Sequence, residues 1–192
     1  MAKDYGADRT VGQNTDEWKD RKKEVEEMQA SGNYSEVYFS EKGGGYYAIV
    51  KSDADHKPEE IEAAEHMANA GYKVILIDEG GSGVSADGTV FNFVYEQVTP
   101  NPKKTPRTDE TLASSVKDAL EHGVEKVIKA KRNHQDDFKV DVAVIFDKHH
   151  SYRAKHIDAG ITQFELYGKF RYKKIIVISK SGNVYEHYHN DI

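Results

Sequence analysis

Between Pro58 and Pro100 the spacing of apolar residues switches from helical to extended, and a chain that does this must lay a helix against a sheet. PEEIEAAEHMANAG carries Ile61, Ala64, Met67 and Ala68 at helical spacing. Pro58 suits the first turn of that helix, Glu59 and Glu60 complement its dipole, and Gly71 stops it. Tyr72 to Ile77 reads as a continuous apolar strand. The glycine-rich turn EGGSGVSADG leads from it to a second strand, TVFNFVYEQVT.

The same alternation extends to both sides. SEVYFS and YYAIVKS flank EKGGG, a hairpin pattern in which glycines supply positive φ. Residues 99–108 hold three of the four prolines and form a loop. From Asp109 a long helix carries Leu112, Val116, Ala119, Leu120, Val124, Val127 and Ile128 on one face, and Gly123 interrupts it without breaking the period. VDVAVIF (140–146) reads as a buried strand, Ser151 as the cap of a helix reaching about Gly168, and KKIIVIS with VYEHYH as a closing hairpin. The expected order is ββ, α, ββ, α, β, α, ββ, an α/β fold with a mixed central β-sheet flanked by helices. Residues 1–33 are polar and charge-dense. Asn14 or Thr15 can cap a thinly amphipathic helix there, so they are expected as an N-terminal helical arm on a domain spanning residues 34–192.

At 192 residues the chain suits one such domain, and its 38% hydrophobic content is that of a globular protein. No apolar run approaches the roughly 18 residues of a membrane span, and MAKDYGADRT has no signal-peptide core, so neither a membrane partner nor secretion through a leader in this chain is expected. Cysteine is absent, which excludes disulfides, thiolate nucleophiles and Cys-based zinc sites. Charge is unevenly distributed. Residues 1–96 carry ten Lys and Arg against twenty Asp and Glu, whereas the remainder carries seventeen against thirteen. Solvated helix faces account for such a bias, and so would a polyanion held by the second half.

Three carboxylates stand out. A divalent metal that activates water against a phosphate takes hard oxygen ligands. Asp87 and Glu96 could supply them if the second strand lies beside the Tyr72–Ile77 strand, with Glu62 completing the set from the helix. An uninterrupted strand would hold Asp87 and Glu96 roughly 30 Å apart, so the two meet only through a bend or tight hairpin near Gly88, and Thr89-Val90-Phe91-Asn92 carries no signal that guarantees one. Two of the three also have a plain structural role open to them: Glu62 as a surface partner of the helix dipole, Asp87-Gly88 as a turn pair.

The arrangement HKPEEIEAAEHMANAGYKVILIDE, SADG, VFNFVYEQVT and a long helix resembles PD-(D/E)XK nucleases. More particularly, it is similar to the C-terminal tRNase domains of contact-dependent growth inhibition toxins and related phage and mobile-element domains, over about residues 37–186. The resemblance implies a nuclease-like fold and Mg²⁺-dependent cleavage of RNA, with tRNA as substrate and a cognate immunity protein as partner. It also implies action in the bacterial cytoplasm as part of a larger delivered protein. Glu62 then matches the helix Glu, Asp87 the strand Asp, and Glu96 the Glu of a Glu-x-Lys pair. The lysine position falls on Val98, with Lys103, Lys104 and Lys117 as nearby substitutes. A catalytically inactive binding module on the same scaffold is the alternative.

KKTPR (103–107), KVIKAKR (126–132) and KFRYKK (169–174) are the basic segments. Lys103, Lys104, Arg107, Lys129, Lys131 and Arg132 are candidates for guiding a nucleic-acid backbone. Tyr167, Phe170 and Tyr172 could stack bases or simply pack against neighbours. Among nine histidines, His149, His150 and His156 cluster in sequence and His187 and His189 share a strand face, but no third zinc ligand is identifiable for the strand pair.

Overall fold

The computed structural model describes residues 9–52, 56–77, 86–103, 106–133, 135, 137–168 and 170–187, with the side chain of Lys131 outside that set. Among the described residues, four helices and eight strands follow the order α1 (Asp16–Ser31), β1 (Tyr34–Phe39), β2 (Tyr46–Val50), α2 (Pro58–Asn69), β3 (Lys73–Leu76), β4 (Gly88–Val90), β5 (Phe93–Val98), α3 (Asp109–Arg132), β6 (Val142–Phe146), α4 (Ala154–Tyr167), β7 (Lys174–Ile178) and β8 (Val184–His187). All eight strands form one sheet, arranged in chain order. Pairings β2–β3, β5–β6 and β6–β7 are parallel and the others antiparallel, so the sheet is mixed. Each parallel pairing is bridged by a helix, as parallel connections require.

The expected strand TVFNFVYEQVT is two strands, β4 and β5, joined by the tight turn Phe91-Asn92. Both turn residues have positive φ, 46° and 68°, the conformation of a two-residue hairpin turn. Asn tolerates this conformation. Phe91 is held in it by the Tyr72 ring at 5.6 Å and by the guanidiniums of Arg9 and Arg21, 5.6 and 6.0 Å from its ring centre. A second departure concerns α4, which begins at Ala154 rather than near Ser151. The Ser151 and Tyr152 N–H groups donate to Asp147 (3.1 and 3.0 Å), and that turn delays the helix.

Side chains alternate between two cores, one on each face of the sheet. On one face Tyr47, Val74, Leu76, Tyr95, Val144 and Ile176 bury α2 through Ala63, Ala64, Met67 and Ala68. On the other, Val98, Ala143, Ile145, Ile175 and Val177 bury α3 and α4 through Leu120, Val127, Ile157 and Phe164. Small residues on the inner face of α2 let it lie close to the strands, and it reaches from β2 and β3 across to β7. Thr15 caps α1 by accepting from the Trp18 N–H at 3.2 Å. Buried Arg21 ties α1 down by donating to the carbonyls of Gly44 and Gly71 at 3.1 and 2.8 Å.

The two ends of the described chain meet at Glu186. Its fully buried carboxylate accepts from Arg9 at 3.0 and 3.1 Å and from the Tyr72 hydroxyl at 2.8 Å, and lies 3.1 Å from Lys174 Nζ. No described helix is long and apolar enough to cross a membrane. Glu186→Ala is expected to lower stability by about 3 kcal/mol, because it leaves two cations and a phenol without their common acceptor. Urea unfolding followed by circular dichroism measures this.

Candidate functional site

The β4–β5 hairpin decides which side chains meet. Gly88 pairs with Tyr95, so Asp87, one residue before β4, faces Glu96 across the open end of the hairpin. Asp87 Oδ2 accepts from the Gln97 N–H at 2.5 Å, which fixes its carboxylate. The turn thus brings together two groups that a continuous strand would have separated. Both are almost completely buried, at 4% exposure each.

Two buried anions this close demand a cation. It comes from α3. Lys126 Nζ lies 2.6 Å from Glu96 Oε1 and 3.5 Å from Asp87 Oδ1, with its side chain 35% exposed. Val98, where a Glu-x-Lys pair would place its lysine, is buried beneath α3 with Leu120 and Val127. Period two does direct residue 98 to the same face as Glu96, but α3 covers that spot and apolar packing occupies it. The helix covering position 98 delivers its own lysine instead.

Gly123 makes that delivery possible. A Cβ added there would stand 2.6 Å from the Tyr172 hydroxyl, 3.0 Å from Val98 Cγ1 and 3.5 Å from Glu96 Cγ. The missing side chain lets α3 settle onto β5 one turn before Lys126. Tyr172 is buried here and donates to the Leu120 carbonyl at 3.2 Å, with Phe164 stacked on its ring and Phe170 edge-on. Packing therefore accounts for Tyr172 and Phe170, while Tyr167 is exposed.

Glu62 does not join the pair. Its side chain is 55% exposed and its ion partner is His66, 3.8 Å away one turn along α2. Helical geometry explains the placement, because α2 buries positions 60, 63, 64, 67 and 68, and residue 62 points to the opposite side. The inward carboxylate of this helix is Glu60. It accepts from the Lys57 N–H at 3.3 Å and pairs with Lys57 Nζ at 3.3 Å and His56 Nδ1 at 3.1 Å. Beside it, Gln97 Nε2 donates to the Glu59 carbonyl at 3.1 Å, clamping the first turn of α2 to β5. Hydrogen bonding from Lys148 holds the Glu59 carboxyl below its usual range. Burial, reinforced by the charges of Asp87, Glu60 and Glu96, pushes the Tyr95 phenol well above its ordinary range, so it remains neutral. Among the described residues no three His, Asp or Glu side chains form a group able to hold a metal ion.

The basic candidates fall into two groups. Lys129 and Arg132 are exposed on α3 at successive turns beyond Lys126. Lys103 and Arg107 are exposed in the loop before α3, whose first residue, Asp109, lies about 25 Å from Lys126 along the helix axis at 1.5 Å per residue. Lys131 belongs to α3 with its side chain outside the described set, and Lys104 lies outside the described residues, as do His189 and the EGGSG turn. Lys117 is engaged with Glu121 at 2.8 Å. Three of the singled-out histidines have structural partners: His156 Nε2 faces Asp109 at 2.8 Å while its Nδ1 accepts from the Arg153 N–H, His150 Nδ1 meets the Lys180 carbonyl, and His187 lies 3.5 Å from Glu165.

No protein-family model and no curated protein matches the chain. Among solved structures, it is similar to a chain of the CdiA-CT/CdiI toxin and immunity complex from Burkholderia pseudomallei. The TM-score is 0.48 at 18% identity, covering 73% of this chain and 98% of that one.

Gly123→Ala is expected to destabilise the fold by about 1 kcal/mol, because overpacking against Tyr172 outweighs the better helix propensity of Ala. Adding Tyr172→Phe removes the atom in the way. The double variant should be less destabilised than the sum of the two single changes, as denaturant titration of all four proteins would reveal.

Proposed function

We propose that this chain is a metal-dependent ribonuclease whose site consists of Asp87, Glu96 and Lys126. The observation that carries this reading is the Lys126 ammonium 2.6 Å from Glu96 Oε1 and 3.5 Å from Asp87 Oδ1. It supplies, from a helix, the cation whose expected strand position holds Val98. Two carboxylates within reach of a single positive charge also fit a Mg²⁺ site, since Mg²⁺ commonly takes one or two carboxylates and completes its shell with water and substrate phosphate. The lining is therefore compatible with the metal, and Asp87 and Glu96 would hold it. When bound, Mg²⁺ supplies an acidified water and offsets charge on the phosphate.

Everything else is done by the protein. The Gln97 N–H holds Asp87 in one orientation, so the carboxylate meets an incoming cation without rearranging. Lys126 stabilises negative charge developing on the phosphate. Lys129 and Arg132, exposed further along α3, hold the flanking backbone. Glu62 has no part in the site and serves as a surface partner of His66. The sequence resemblance directs the substrate to tRNA and adds a cognate immunity protein that blocks the site, with the chain acting in a bacterial cytoplasm as part of a larger delivered protein.

The competing reading, a binding module without activity, draws on the isolation of Glu62 and the neutralisation of the two carboxylates by Lys126. Incubation with total tRNA separates the two. A ribonuclease cleaves in Mg²⁺ and stops in EDTA, Asp87→Asn abolishes cleavage, and Lys126→Ala slows it about 100-fold. Intact tRNA with the folded wild-type protein in Mg²⁺ would remove the enzyme reading. Lys129→Ala should weaken RNA binding regardless of sequence and reduce the log–log salt slope by about 0.7, measured by fluorescence anisotropy at several salt concentrations.

A further inference from the structure

We infer that Lys126 is a resident counter-cation that holds the divalent-metal position and must be exchanged for the metal when the site loads. This rests on the metal-site part of the ribonuclease reading. Lys126 Nζ contacts one oxygen from each of the two carboxylates that would bind the ion, so ammonium and metal compete for the same oxygens. Two positive charges in one small carboxylate site repel strongly at the effective dielectric of a protein surface. Loading therefore requires the ammonium to leave.

The surroundings allow that movement for Lys126 and oppose it for its partners. Asp87 and Glu96 are 4% exposed, and Asp87 is pinned by the Gln97 N–H, so the carboxylates stay. The Lys126 side chain is 35% exposed, on a flexible four-carbon stem. An ammonium is strongly hydrated in water, which offsets the contacts it gives up on leaving the carboxylates. The exchange also gives Lys126 two roles. Before loading it neutralises two buried anions that would otherwise repel one another. After loading it stands at the rim, where it meets the substrate phosphate that arrives with the metal.

Direct measurement of Mn²⁺ binding by calorimetry, on the whole chain and on Lys126→Met and Lys126→Arg, tests this. Exchange predicts that Lys126→Met binds Mn²⁺ about tenfold more tightly than wild type while cleaving tRNA more slowly. Lys126→Arg, which keeps the competing charge, should bind with nearly wild-type affinity. Equal or weaker Mn²⁺ binding by Lys126→Met would overturn the proposal. Should Lys126→Met fold poorly without metal, melting temperature is followed against Mn²⁺ concentration instead: exchange predicts that its rise begins at lower Mn²⁺ than in wild type, and a rise beginning at the same or higher Mn²⁺ overturns it. The two proposals fail separately. Tighter binding by Lys126→Met in a protein that leaves tRNA intact supports exchange and removes the ribonuclease; wild-type cleavage without tighter binding does the reverse.

Discussion

Asp87 and Glu96 are two carboxylates buried side by side at the mouth of a hairpin, and such a pair is tolerable only with a positive charge against it. Much of the surrounding architecture serves that requirement. The charge arrives on α3, α3 must therefore lie close to β5, and at Gly123 an added Cβ would stand only 3.0 Å from Val98 Cγ1. The approach is also locked from the far side, where the Tyr172 hydroxyl reaches the Leu120 carbonyl over the space a Cβ at 123 would fill. Hairpin, helix and glycine are interdependent. Moving any one of them separates the ammonium from its carboxylates.

The rest of the fold supplies a rigid platform. Alanines on the inner face of α2 bring that helix onto one side of the sheet, while α3 and α4 cover the other. Polar contacts then pin segments that apolar packing alone would leave free to slide. Gln97 clamps the first turn of α2, Arg21 ties α1 to two backbone carbonyls, and Glu186 joins the first described residues to the last strand. Arg9 and Arg21 also lie over Phe91, the strained residue of the β4–β5 turn. The contacts that hold the ends of the chain therefore also hold the turn that aligns Asp87 with Glu96.

Periodic elements were legible from sequence because their signals are local. The expected helix starts at Pro58 and Asp109 coincide with α2 and α3, where a proline, acidic first turns and long apolar stripes agree. The β4–β5 turn was not legible, since Phe91-Asn92 lacks the glycine that usually marks a two-residue hairpin and depends on distant Tyr72, Arg9 and Arg21. Lys126 was hidden for a related reason. The expected substitutes Lys103 and Lys104 stand in the loop after β5 and Lys117 early in α3, whereas the charge comes from Lys126, later on that helix and 28 positions beyond Val98. Glu60 could have been found: the stripe Ala63, Ala64, Met67 and Ala68 contains position 60 and excludes 62.

Residue order alone settled the alternation of helices and strands, the lack of cysteine chemistry and the presence of Asp87 and Glu96 near one pair of strands, because each depends on composition or on neighbours a few positions apart. Whether those carboxylates meet, which lysine joins them and which face Glu62 occupies depended on a turn held by remote side chains and a helix seated at Gly123. These are contacts between residues far apart along the chain, and their geometry exists only once the sheet and its helices have packed.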